Sequence, residues 1–151
     1  MTELATIEPI TKTVLVRCDP ETAFRVFTAE IGTWWPTATH AVNEGRVREL
    51  VFEQRQGGEL YEISDSGEKC HWARVTAWEP AARLVLDWHV DPDAPAPTEI
   101  EVRFTPEGDA TRVELRHRHW ERLGELGQER RDRYETGWDP VLAIYVEALA
   151  G

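Results

Sequence analysis

The stretch Asp19-Pro20-Glu21-Thr22-Ala23-Phe24-Arg25-Val26-Phe27, followed closely by Ile31-Gly32-Thr33-Trp34-Trp35-Pro36, organises the reading of this chain. Asp19 suits a helix cap, Pro20 fits a first turn, and Ala23, Phe24, Val26 and Phe27 fall on one buried side of the helix that follows. A residue before proline is pushed away from helical geometry, so Trp34-Trp35-Pro36 closes the helical region. Upstream, Ile10 to Arg17 alternates as a strand, with Ile10, Val14 and Val16 on one face. Downstream, Thr37 to Gly45 is expected to be an irregular connection.

Short β-segments are then expected at Arg46 to Glu53, Glu59 to Ser64, Cys70 to Trp78, Arg83 to Val90, Thr98 to Thr105 and Thr111 to Trp120. Turn signals separate them: Gly57-Gly58, Asp65-Ser66-Gly67, Glu79-Pro80, the proline-rich run Asp91 to Pro97, and Pro106-Glu107-Gly108-Asp109. Such spacing implies an antiparallel sheet of sequence neighbours, with the proline-rich run as a surface hairpin loop. From about Gly124 to Ala150 the pattern becomes helical, with Tyr134, Trp138, Val141, Leu142, Tyr145 and Leu149 near one face. Gly137 disfavours helix by about 1 kcal/mol relative to alanine. Pro140 lacks the donor for the preceding turn. A kink or restarted helix is therefore expected near Gly137 to Pro140, with the glycine allowing close approach to the sheet. One strand, a helix, a run of strands and a long terminal helix solve their burial problem as an α+β helix-grip fold. In that fold a curved antiparallel sheet wraps the terminal helix and leaves a cavity between them.

Composition bounds the function. The chain has 151 residues, consistent with one domain over 1–151, and seven tryptophans, more indole than a core of this size needs. Seventeen basic against 28 acidic residues give a formal charge of −11, which disfavours nucleic acid and anionic membranes. Cys18 and Cys70 make no disulfide framework and are expected as reduced thiols. With no apolar run fit for export or membrane insertion, the expected location is cytoplasmic.

The order of several motifs is more specific than any one of them. Pro20-Glu21-Thr22-Ala23-Phe24-Arg25-Val26-Phe27, Ile31-Gly32-Thr33-Trp34-Trp35-Pro36, Phe52-Glu53 with Gly57-Gly58, and Trp78-Glu79-Pro80 with Arg83-Leu84-Val85 come first. Thr111-Arg112-Val113-Glu114-Leu115, Tyr134, Gly137-Trp138 and Val141-Leu142 complete the pattern. So ordered, the chain resembles the START-like (SRPBCC, Bet v 1-like) superfamily, and within it the group similar to the activator of Hsp90 ATPase C-terminal domain. The resemblance implies a helix-grip cavity used to carry hydrophobic molecules, to dehydrate or cyclise polyketide-like substrates, or as part of a chaperone-associated module. It does not select among them.

Strand alternation supplies a candidate lining. Leu84, Leu86, Trp88 and Val90 share one face, as do Ile100, Val102 and Phe104, and Val113, Leu115, His117 and His119. The expected ligand site draws Leu86, Trp88, Val102, Phe104 and Leu115 from the sheet, Trp35 from the aromatic closure, and Trp138 and Tyr145 from the terminal helix. His117, His119 and Tyr145 are its expected polar contacts. The two histidines carry four readings: orienting a ligand, a structural or rim role, acid–base catalysis, or metal binding. Asp87 and Glu114 alternate away from them, which counts against a preformed acid–base pair. Trp72 and Trp78 read as sheet stiffeners, Trp120 as an edge cover, and Arg130-Arg131-Asp132-Arg133 as a solvated ionic surface. Cys70 beside His71 makes no dyad, because strand neighbours point to opposite faces.

The expected function is therefore binding of a small hydrophobic or amphipathic molecule, aromatic or polyketide-like. A dehydratase or aromatase and a chaperone-associated interaction module are the alternatives. No nucleotide, thiol-redox or phosphate motif calls for a cofactor, and no catalytic or metal-ligating residue is assigned. Oligomeric state is not legible.

Overall fold

The computed structural model describes residues 7–150, so the ends of the expected 1–151 unit lie outside it. Strand β1 (Ile10–Val16) leads into helix α1 (Pro20–Phe27), whose first turn is capped by Asp19 accepting from the Thr22 amide at 2.8 Å. Ala23, Phe24, Val26 and Phe27 are buried, as their spacing requires. A short 3-10 turn at Ile31–Thr33 delivers Trp34 and Trp35 to the interior. After the irregular connection come β2 (Val47–Phe52), β3 (Glu59–Ser64), β4 (Lys69–Glu79), β5 (Arg83–Trp88), β6 (Thr98–Glu107) and β7 (Ala110–Arg118).

All seven strands form one antiparallel sheet in the order β1-β7-β6-β5-β4-β3-β2. Only the first strand crosses the sequence order, pairing with the last and carrying α1 between the sheet's two edges. Register shifts leave Arg48 of β2 and Trp72 and Thr76 of β4 as extra residues, and such bulges bend a sheet. The inner face presents Leu84, Leu86, Ile100, Val102, Phe104, Val113 and Leu115 to a core shared with α1 and the terminal helix. The outer face is charged and laced by cross-strand pairs, Arg83–Glu101 and Arg118–Glu99 each at 2.6 Å. No helix among the described residues is long and apolar enough to cross a membrane.

The terminal helix differs from expectation in two ways. A 3-10 segment at Trp120–Leu126 precedes α2 (Gly127–Ala148), and the backbone break falls inside that segment, at Gly124, with φ 60° and ψ −126°. Beyond it α2 runs without a restart, Pro140 included. Pro140 and Thr136, the residue whose carbonyl the proline leaves without its donor, both lie on the exposed side, where water can satisfy that carbonyl. The close-approach glycine is also elsewhere. A Cβ on Gly127 would stand 2.4 Å from the Trp120 carbonyl oxygen, whereas one on Gly137 would meet nothing within 4 Å.

Candidate functional site

A half-open cavity of about 490 Å³ lies between the connection after α1, β4, β5 and α2. The helix contributes a single stripe, Arg130, Arg133, Tyr134, Gly137, Trp138 and Val141, spaced as one face of an α-helix. Trp72 and Trp88 come from β4 and β5, and Trp35 closes the side nearest the connection. Trp35 is the hub of this wall, its ring 5.4 Å from Trp72, 5.9 Å from Trp138 and 6.2 Å from Trp88. Gly137 leaves open the space that a side chain would fill.

The indole donors of the wall are satisfied within the protein. Trp35 donates to the His40 carbonyl at 2.7 Å, Trp72 to Glu62 Oε1 at 2.7 Å, Trp88 to the Tyr134 hydroxyl at 3.1 Å and Trp138 to His117 Nδ1 at 3.1 Å. The wall therefore offers ring faces and edges instead of N–H groups. Glu62 has a second task. Fully buried on β3, it also accepts from the Val42 amide at 2.7 Å, the Asn43 amide at 2.9 Å and Asn43 Nδ2 at 2.8 Å. One carboxylate thus clamps the irregular connection, which carries Thr39, His40, Ala41 and Glu44 along the cavity, to the same Trp72 that forms the wall.

His117 is sealed in the core. Because Nδ1 accepts from Trp138, the ring proton sits on Nε2 and donates to Thr98 Oγ1 at 2.7 Å, whose hydroxyl reaches the Trp88 carbonyl at 3.4 Å. Trp120 stacks against the imidazole with centroids 4.1 Å apart. Burial holds the His117 pKa well below its ordinary 6.5. Both nitrogens are engaged, so the ring positions the tryptophans.

The mouth is charged. Asp91 of the β5–β6 loop pairs with Arg130 at 2.6 Å, tying that loop to α2, and Arg130 and Arg133 both bond Glu129. Burial raises the Asp91 carboxyl, but the Arg130 hydrogen bond and nearby guanidinium charges outweigh it and hold the pKa below its usual value. Asp93, Glu44 and a half-buried His40 complete the rim. Cys18 and Cys70 are free thiols whose pKa values burial pushes up, against nucleophilic use at neutral pH.

Of the residues expected to line the site, Trp35, Trp88 and Trp138 do so. Leu86, Val102, Phe104 and Leu115 point inward as alternation requires, but they are closed off in solid core and do not border the cavity. Tyr145 is likewise buried, donating its hydroxyl to the Ala23 carbonyl at 2.7 Å. His117 shares their face without reaching the cavity, and His119 leaves that face altogether. The chain turns at His119 with φ 73°, ending β7, and its imidazole lies toward Glu99 and Glu121 at 3.7 and 3.5 Å. The divergence also removes the shared geometry that a two-histidine metal site needs. Trp72 and the Arg130 and Arg133 pair line the cavity against their expected roles, and Tyr134 and Val141, expected on the same helix face as Trp138, line it without having been assigned to the site. The i, i+3, i+4 spacing from Arg130 to Val141 was the signal that could have gathered most of them.

Residues 17–150 match the protein family described as activator of Hsp90 ATPase homolog 1-like protein. Among solved structures the chain is similar to an anthrahydroquino-gamma-pyrone synthase, 33% identical over 94% of this chain and 97% of that one, TM-score 0.64. It is similar to CalC of Micromonospora echinospora, a self-sacrificing resistance protein, 27% identical over 93% of each chain, TM-score 0.70. The Aha1 protein of Colwellia psychrerythraea, solved as a dimer, shares the fold at 19% identity over 95% of this chain and 96% of that one, TM-score 0.59. No curated protein matches the sequence.

Proposed function

This chain belongs to the activator of Hsp90 ATPase homolog 1-like family, and from its site we propose that it binds a small aromatic or polyketide-like molecule in the tryptophan-walled cavity. The observation that carries the reading is the wall itself, four indoles and a phenol around about 490 Å³ of open space, within the range of pockets that take drug-sized ligands. A planar polycycle replaces poorly solvated ring surface with stacking contacts, and the charged mouth keeps any polar substituent in water. The identity to a synthase that makes an anthrahydroquino-gamma-pyrone supports an aromatic, polyketide-like occupant. A chaperone role rests on the family's name and on a fold shared at 19% identity, and nothing in the cavity calls for it.

The same synthase supports a second reading, chemistry on such a substrate. His117 and His119 do not serve it, the first being sealed and the second facing outward. His40 is the imidazole that borders the cavity, its Nδ1 bonded to Thr39 Oγ1 at 2.7 Å.

Gly137 provides the test, because its Cβ position meets nothing within 4 Å and faces the cavity. Gly137→Leu is expected to fill the space and weaken binding of bicyclic to tetracyclic aromatics by at least about tenfold, read by tryptophan fluorescence. Thermal stability should hold or rise, since glycine costs a helix roughly 0.5–1 kcal/mol relative to alanine. Unchanged affinity in the folded variant for every ligand that binds the parent would rule out this cavity. Product formed by the parent and lost in His40→Ala would favour the enzyme reading.

A further inference from the structure

We infer that the Tyr134 hydroxyl is the cavity's hydrogen-bond donor to its ligand, and that the ligand class is a planar polycyclic aromatic carrying an acceptor oxygen, such as a ring ketone, quinone or ether. The inference rests on the cavity-binding reading and narrows it.

Of the polar atoms of the four indoles and the phenol, one donor is free among the described residues. The N–H groups of Trp35, Trp72, Trp88 and Trp138 each have a protein acceptor. Arg130 and Arg133 stand at the mouth, paired with Asp91 and Glu129, and Thr39 and His40 bond each other on the connection, away from the aromatic wall. Tyr134 differs. Its oxygen accepts from Trp88 at 3.1 Å, and its own O–H has no acceptor within hydrogen-bond distance among the described residues. A phenol that accepts one hydrogen bond keeps one donor to offer. In the half-open cavity only water can take that donor, and a ligand that displaces the water must present an acceptor to replace its bond.

The hydroxyl is also held still. The Tyr134 ring lies 5.0 Å from His117 and 5.4 Å from Trp120, and the Trp88 indole fixes its oxygen. A donor already oriented loses little freedom on binding, so it discriminates between ligands that do and do not present an acceptor. Burial raises the phenol's pKa, which keeps the proton in place at neutral pH. A ligand bearing only donors toward this wall finds the indole faces and gains no such bond.

Fluorenone and fluorene make a matched pair of planar tricycles, differing by a ketone in place of a methylene. In the parent protein the carbonyl stretch of bound fluorenone should fall below its value in apolar solvent, and fluorenone should bind more tightly than fluorene. Tyr134→Phe should lower the fluorenone-to-fluorene affinity ratio by about five- to tenfold, the size expected for one hydrogen bond. It should also return the carbonyl stretch toward the apolar value. The ratio cancels any general loosening from the Trp88 donor that this variant leaves without its partner. An unshifted stretch in the parent, or a ratio unchanged in Tyr134→Phe, overturns the inference while leaving the cavity reading intact. If neither probe quenches the parent's tryptophans, the cavity reading fails and this inference fails with it.

Discussion

Glu62→Ala should lower stability by about 3–5 kcal/mol, the range found when one partner of a buried charged network is removed. The alanine would strand four donors at once: the Val42 and Asn43 amides, Asn43 Nδ2 and the Trp72 indole. Trp72 is fully buried, so its N–H has no water to turn to. The loop donors can re-solvate only if the connection lifts away from β3, and that movement would carry Thr39, His40, Ala41 and Glu44 off the cavity. Stability and ligand binding should therefore fall together. Denaturant melts would report the first and tryptophan quenching the second. Glu62→Gln is the informative companion, since its amide oxygen can keep some of these bonds while its NH₂ faces donors. It should fall between alanine and the parent. A loss under 1 kcal/mol in Glu62→Ala would show that the connection is held by other means.

What the sequence disclosed and what it concealed divide by range. The Asp19 cap, the buried face of α1 and the β3 boundaries at Glu59–Ser64 follow from residues within a turn or two of one another. The order of β2 to β7 also followed, because short turns pair neighbours, whereas the β1–β7 pairing joins the chain's first and last strands and no turn announces it. The inward direction of Leu86, Val102, Phe104, Leu115 and His117 was legible from alternation. Their depth was not. Alternation tells which side a residue faces, and whether that side is solid or hollow depends on what the opposite helix carries there. α2 sets Tyr145 and Leu142 over the filled part and Gly137 beside the open part. The cavity thus moved to one end of the sheet, onto a wall drawn from a loop, two strands and a helix stripe.

Single residues tell the same story. His119 departs from its face because one left-handed backbone position ends the strand at Arg118, two residues before the expected end at Trp120, and histidine gives no such warning as glycine would. Glu62 shares its face with Leu60 and Ser64, and as a charged residue in a half-buried strand it reads as a solvent position until its donors, some 10 to 20 residues away, are known. Pro140 invited a broken helix by a local rule. The helix stays whole because its missing bond faces solvent.

His117 should make the fold acid-sensitive in a window that its carboxylates do not share. Its folded pKa lies well below 6.5 because burial disfavours the charged ring, and no carboxylate contributes to the shift. Above about pH 6.5 the ring is neutral in both folded and unfolded chains and affects neither. As pH falls below that value the unfolded chain binds a proton that the native state refuses, so stability drops by about 1.4 kcal/mol per pH unit until the folded pKa is reached. The carboxyls of Asp91, Glu59 and Glu101, with native pKa values held below their ordinary 3.8 to 4.5, begin to matter only at lower pH. Denaturant midpoints between pH 7 and 5 should therefore slope in the parent and flatten in His117→Gln, which begins less stable but has no proton to gain. An equal slope in both proteins would assign the sensitivity to other groups. The slope, if seen, also bears on function. A proton on Nδ1 must displace the Trp138 N–H, so charging this ring would push out a wall of the cavity. The same bond that keeps His117 from serving as a base is what fixes Trp138 where a ligand would meet it.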